Sequence, residues 1–135
     1  MEFLQQAHSG WRWLVVAVVA IATLRYFIGF VGKQKFDKLS ETLMTALNAV
    51  VGIQVLLGLS LFIWTWMVRD FVRQQAEHGF AMLVAVALLG ALSSRWKKLN
   101  DLKRHRNYFI LTLVVFALIL VGMYALRRDP MALFR

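Results

Sequence analysis

The chain has no cysteine and a single proline, Pro130. Without cysteine there can be no disulfide, no thiolate zinc site, no cysteine-held iron–sulfur cluster and no covalent c-type haem attachment. A proline beyond the last apolar block leaves every helix before it free of a proline kink. Carboxylates are also few: seven against sixteen Lys and Arg, with none inside the apolar runs. No nucleophile–base pair, phosphate-binding glycine loop or metalloprotease spacing is present. Hydrolytic chemistry is therefore not expected, and any enzymatic role is at most electron transfer.

What the 135 residues do have is apolar surface. Hydrophobic residues make up 60% of the chain, well above the roughly 45–50% of soluble domains. They gather into four blocks. Charge-free stretches of this length need about 20 residues to cross a bilayer, and lipid leaves helices or closed barrels as the only spanning structures. No alternation of strand period appears. The expected fold is all-α, an integral membrane antiparallel four-helix bundle forming a single membrane domain over 1–135. Its spans are expected at about 11–32, 42–68, 78–96 and 107–126, with Ser40 or Thr42 capping the second. Met1 to Gly10 has no basic residue and no small-residue cleavage site follows, so no cleavable signal is expected.

The net charge of +9 lies between the spans, which points to anionic lipid headgroups at the basic loops and not to nucleic acid. Ten of the sixteen cations (Arg25, Lys33, Lys35, Lys38, Arg95, Lys97, Lys98, Lys103, Arg104 and Arg106) follow spans one and three. The remaining six are Arg12, Arg69, Arg73, Arg127, Arg128 and Arg135. The positive-inside rule then puts the richer loops in the cytoplasm and both termini outside. Trp11, Trp13, Trp64 and Trp66 suit headgroup-level belts. Arg25 interrupts the first span and is expected to reach toward the surface. Ala81/Ala85 and Ala87/Ala91 have the small-xxx-small spacing that permits close helix approach.

Three histidines remain. His8 and His78 each precede a span on the same face, and spans one and three are diagonal if the bundle is cyclic in chain order. A diagonal pair of imidazoles can hold haem iron from both sides, with Arg12, Arg69 and Arg73 pairing its propionates and Met82 lining the pocket. The same residues also read as plain interfacial polar groups, and a single histidine could instead hold a chlorophyll-type pigment. His105, within Lys103-Arg104-His105-Arg106, reads as solvated or lipid-facing. Thr45, Asn48 and Gly52 share a face of span two. They suit interhelical hydrogen bonding or, alternatively, a quinone headgroup.

Several motifs together resemble a family of small bacterial four-helix membrane proteins labelled cytochrome-b-like. They are His8-Ser9-Gly10-Trp11-Arg12-Trp13, Gly32-Lys33 through Lys38, Gln54 through Gly58-Leu59, and Glu77-His78 with Met82. The resemblance implies a bacterial inner-membrane protein binding haem b and taking part in electron transport. Further histidines of that family correspond here to Gly52 and Ser93, which limits the expectation to one haem, near the outer face. The alternative is a cofactor-free, pigment-binding or quinone-binding accessory subunit of a larger respiratory or photosynthetic complex. Other membrane subunits are expected partners in either case.

Overall fold

A backbone surrounded by hydrocarbon must satisfy its own N–H and C=O groups, and each apolar block does so as an α-helix. In the computed structural model, which describes residues 2–68 and 73–127, these are α1 (Glu2–Val31), α2 (Lys38–Val68), α3 (Arg73–Arg95) and α4 (Asp101–Arg127). A 3-10 turn, Trp96–Lys98, links α3 to α4. All four helices are long and apolar enough to cross a membrane. Three begin well before the expected spans. As a result His8 lies inside α1 and His105 inside α4.

The start of α2 differs from expectation because a stronger cap lies upstream. Asp37 Oδ1 accepts from the Ser40 backbone N–H at 2.9 Å and from the Ser40 hydroxyl at 2.8 Å. That is an aspartate N-cap three residues ahead of its donor. Ser40 is thus the capped residue and not the cap. Arg25 reaches out of α1 to the same corner, 3.2 Å from Asp37 and 2.7 Å from the Gln34 side chain. At the end of α1 the Gln34 N–H bonds the Gly29 carbonyl and the Lys33 N–H bonds Phe30. This is a Schellman pattern with Lys33 at φ 50°.

The Ser40 N–H, then its hydroxyl, then Arg25 hold the Asp37 carboxyl down to about 2, from an ordinary 3.8. A carboxyl lowered on folding stabilises above its unfolded value and loses that contribution as pH falls through the folded one. The thermal midpoint in detergent is therefore expected to fall between pH about 4 and about 2. Asp37→Ala is expected to start from a lower midpoint and show less change over that window. An identical profile in the variant would assign the acid sensitivity elsewhere.

α1 packs on α2 and α4, and α3 packs on α4 and α2, with the α2–α3 seam the loosest. Among the described residues no close backbone approach joins α1 to α3 or α2 to α4. The bundle is therefore cyclic in chain order, and α1 and α3 are diagonal. Its core follows the three–four spacing of one helical face. Val15, Val19, Ala22 and Tyr26 come from α1; Leu47 and Val51 from α2; Ala85 and Leu89 from α3; Tyr108, Leu111, Val115 and Ile119 from α4. Outside this core Ile21, Leu24, Leu56, Ile63, Leu113 and Leu120 are exposed. In water that surface would be a liability; in hydrocarbon it is the solvated face. Of the small-residue pairs, Ala85 is buried in the bundle, whereas Ala87 and Ala91 face outward.

Candidate functional site

Two regions of polar side chains interrupt the apolar core, one toward each end of the bundle. The first lies toward the chain termini and contains His8 and His78. α1 is helical from Glu2, so His8 sits nearly two turns in. Its backbone carbonyl accepts from Gln54 Nε2 of α2 at 2.9 Å. One turn further along α1, Trp11 Nε1 donates to the Val50 carbonyl at 2.8 Å. The opening stretch therefore works as a clamp on α2. Trp11 points inward to that clamp, while Trp13 is exposed.

His78 comes from the diagonal helix. Its Nδ1–H donates to the Gly122 carbonyl of α4 at 3.1 Å. That bond fixes the ring orientation and the tautomer, leaving Nε2 with its lone pair free, as metal-ligating histidines usually have it. The two rings lie near one another at right angles, centroids 6.3 Å apart and planes at 82°. Two metal–nitrogen bonds of about 2 Å, plus about 1.2 Å from each nitrogen to its ring centroid, separate two imidazoles on one metal by about 6.4 Å. The observed spacing fits a single metal between them.

Small residues make room for both rings. A Cβ on Gly58 would lie 3.0 Å from His8 Cε1. One on Gly122 would lie 3.1 Å from His78 Nδ1 and 2.8 Å from Met82 Cε. Around the rings is a cavity of about 380 Å³ reached by all four helices, with His8, Arg12, Gln54, His78 and Met82 in its wall. That volume lies in the range of small-molecule sites, about 300–1,000 Å³. Its lining is mainly apolar. His8 Nδ1, Arg12 Nε and Gln54 Oε1 are buried without a hydrogen-bond partner. Buried polar atoms are normally satisfied, so three orphans around one cavity suit a site built for a further group. Among the described residues no three His, Asp or Glu side chains cluster as metal ligands. Two imidazoles alone leave a metal's coordination incomplete, and a macrocycle with its own four nitrogens completes it.

Of the residues expected at this site, His8, Arg12, His78 and Met82 come together. Arg69 lies outside the described residues, and of Arg73 only the backbone position, at the start of α3, is described. Gln54, Gly58 and Gly122 were not assigned here from sequence. The first two fell within the quoted Gln-x-x-x-Gly-Leu motif; Gly122 carried no local signal.

His105 corrects its expected place. It is fully buried at the opposite end, enclosed by Tyr26, Phe36 and Tyr108, with ring centroids 6.3, 5.0 and 5.3 Å apart for the pairs Tyr26–His105, Phe36–His105 and Phe36–Tyr108. Its Nε2–H donates to the Lys35 carbonyl at 3.3 Å. The basic neighbours suggested a loop, but α4 begins at Asp101 and turns this position inward. On the helix-two face, Asn48 Nδ2 reaches Ser93 Oγ at 3.2 Å, which is the interhelical bond expected of it.

Compared with protein-family models, curated proteins and solved structures, the chain matches none.

Proposed function

We propose that this chain is a b-type cytochrome-like membrane subunit that binds one haem and takes part in electron transfer. The observation that carries the proposal is the neighbouring pair His8 and His78, on diagonal helices, at a ring-centroid separation that suits one metal between them. His78 is oriented by the Gly122 carbonyl, and His8 is positioned through its backbone by Gln54. Arg12 lines the same cavity with spare donors, and its guanidinium suits a propionate carboxylate. Met82 fills the pocket beside His78 and need not ligate. When bound, haem supplies a one-electron redox centre. The residues around it hold it, orient it and exclude water.

The absence of histidine at Gly52 and Ser93 supports a single haem. The end that bears the α1–α2 and α3–α4 connections carries ten of the sixteen cations, which supports a bacterial inner-membrane orientation with those loops cytoplasmic and the termini, with the haem, outside. Exposed apolar helix faces leave room for other membrane subunits as redox partners.

The test is a reduced-minus-oxidised absorbance spectrum of the full chain purified in mild detergent, with haem quantified per protein. Paired α and Soret bands at about one haem per chain are expected. A folded, helical protein with no haem after expression in haem-sufficient cells, and none taken up on titration with hemin, would overturn the proposal.

A further inference from the structure

At the end carrying the α1–α2 and α3–α4 connections, a second cavity of about 410 Å³ opens between α2, α3 and α4. On α2, Asn48 at its edge lies six residues from Gln54 at the edge of the first cavity, or about 9 Å along the axis. The two spaces are separate. The wall of the second mixes apolar surface with the polar side chains of Glu41, Thr45, Asn48, Ser93, Lys97 and Arg104.

Of its neutral donors only the exposed Ser94 hydroxyl is not already in use. Asn48 Nδ2 is shared between the Met44 carbonyl at 3.0 Å and Ser93 Oγ at 3.2 Å. Ser93 donates to Gly90 at 3.3 Å, Thr45 donates to Glu41 at 3.1 Å, and the Tyr108 hydroxyl donates to the Ser93 carbonyl. A neutral headgroup such as a quinone would find a donor for one carbonyl in Ser94 and would have to displace these bonds to find one for the other.

The cations are less committed. Arg104 lies flat on Phe36, its guanidinium carbon 3.8 Å from the ring centre, with 12% of the side chain exposed. Such stacking holds the fork in place. Its ion-pair partner Glu41 is at 3.6 Å and is itself 58% exposed, and Arg104 Nε has no hydrogen-bond partner. Lys97 stands across the same space, exposed, in the turn after α3.

A fixed guanidinium beside a mobile ammonium is a recognition pair for phosphate oxygens. We infer that this cavity binds a phosphate group, and that its source is the headgroup of an anionic lipid. The cavity lies at the helix ends where Lys and Arg concentrate, and it sits in the loosest seam of the bundle, α2–α3. Acyl chains can lie along that seam. The inference does not depend on haem binding. In it Glu41 competes with the phosphate for Arg104.

The test uses the full chain reconstituted in phosphatidylcholine vesicles containing a trace of spin-labelled phosphatidylglycerol. The association constant is read from the motionally restricted fraction. Preference over spin-labelled phosphatidylcholine is expected, and Lys97→Gln is expected to lower it by about fivefold, the scale of one basic residue at an anionic surface. Glu41→Gln is expected to raise it. Lys38→Gln, which removes an equal charge from the same end but outside the cavity, is expected to leave it nearly unchanged. Arg104→Gln removes packing as well as charge, so the three exposed positions carry the test. Equal losses in Lys97→Gln and Lys38→Gln, or no gain in Glu41→Gln, would overturn the site in favour of diffuse attraction. Millimolar inorganic phosphate is expected not to displace the labelled lipid. Displacement would overturn the lipid assignment and leave free phosphate as the occupant.

Discussion

His78→Ala is expected to lower haem retention by at least roughly tenfold, while the bundle stays helical. Loss of a group that only orients a metal ligand costs about 10–100-fold in affinity, and here the proposed ligand itself would go. The pairing is diagonal, so α1 and α3 touch each other through this site and not through their backbones. His8→Ala is expected to weaken retention too, but less. The two histidines differ in support: His78 has a fixed tautomer through Gly122, whereas His8 Nδ1 has no partner. The residual pigment in His8→Ala is expected to be high-spin and to bind added imidazole, which would restore the wild-type spectrum. Haem content per protein, the α-band and imidazole titration check these expectations. Full retention in both variants, with unchanged bands, would remove these residues as ligands.

Gly29→Ala is the second large effect, and it does not depend on any cofactor. By helix propensity alone, Gly to Ala stabilises a helix interior by about 0.5–1 kcal/mol. At position 29 the added methyl would overlap the His105 ring, with Nε2 only 2.6 Å away. That ring is fully buried, closed in by Phe36 and Tyr108 and tied to Lys35. It cannot swing aside as the end of a flexible chain would. Overpacking of this kind costs about 1–3 kcal/mol, occasionally more, so the overlap outweighs the propensity gain. A lower thermal midpoint is expected. Gly52→Ala, where a methyl meets nothing within 4 Å, is the matched control and is expected to be neutral or stabilising. The pair Gly29→Ala with His105→Ala is expected to be less destabilised than the two single effects summed. Full additivity would show that the methyl and the ring do not collide.

These cases show which features could be read from the chain. Helix number, and the placing of His8 and His78 toward the same end, follow from counting apolar spans and noting which face each end occupies; the cyclic order that makes the two helices diagonal was a condition that the packing supplies. Lipid makes that count reliable, because it permits no irregular backbone within it. The ends of helices were less legible. Hydropathy marks where a helix is apolar, not where it starts. Polar first turns such as Asp101–Arg104 were therefore read as loops, and Asp37 was passed over as a cap. His105 was misplaced for the same reason. Extending the helix to Asp101 puts His105, Tyr108, Thr112, Val115 and Ile119 on one three–four stripe, and all five are buried. The glycine notches at positions 29, 58 and 122 depend on which ring arrives from another helix. No local pattern encodes that.

Each histidine ring lies against a glycine of an adjacent helix: His8 on Gly58 joins α1 to α2, His78 on Gly122 joins α3 to α4, and His105 on Gly29 joins α1 to α4. The α2–α3 seam has no such ring-in-notch contact. Mechanically the bundle then resembles a bound book. α1 and α4 form the spine, α2 and α3 are the two covers, and the fore-edge opens toward lipid. Parting α2 from α3 would cost the Asn48–Ser93 hydrogen bond and would leave the three ring-in-notch contacts in place.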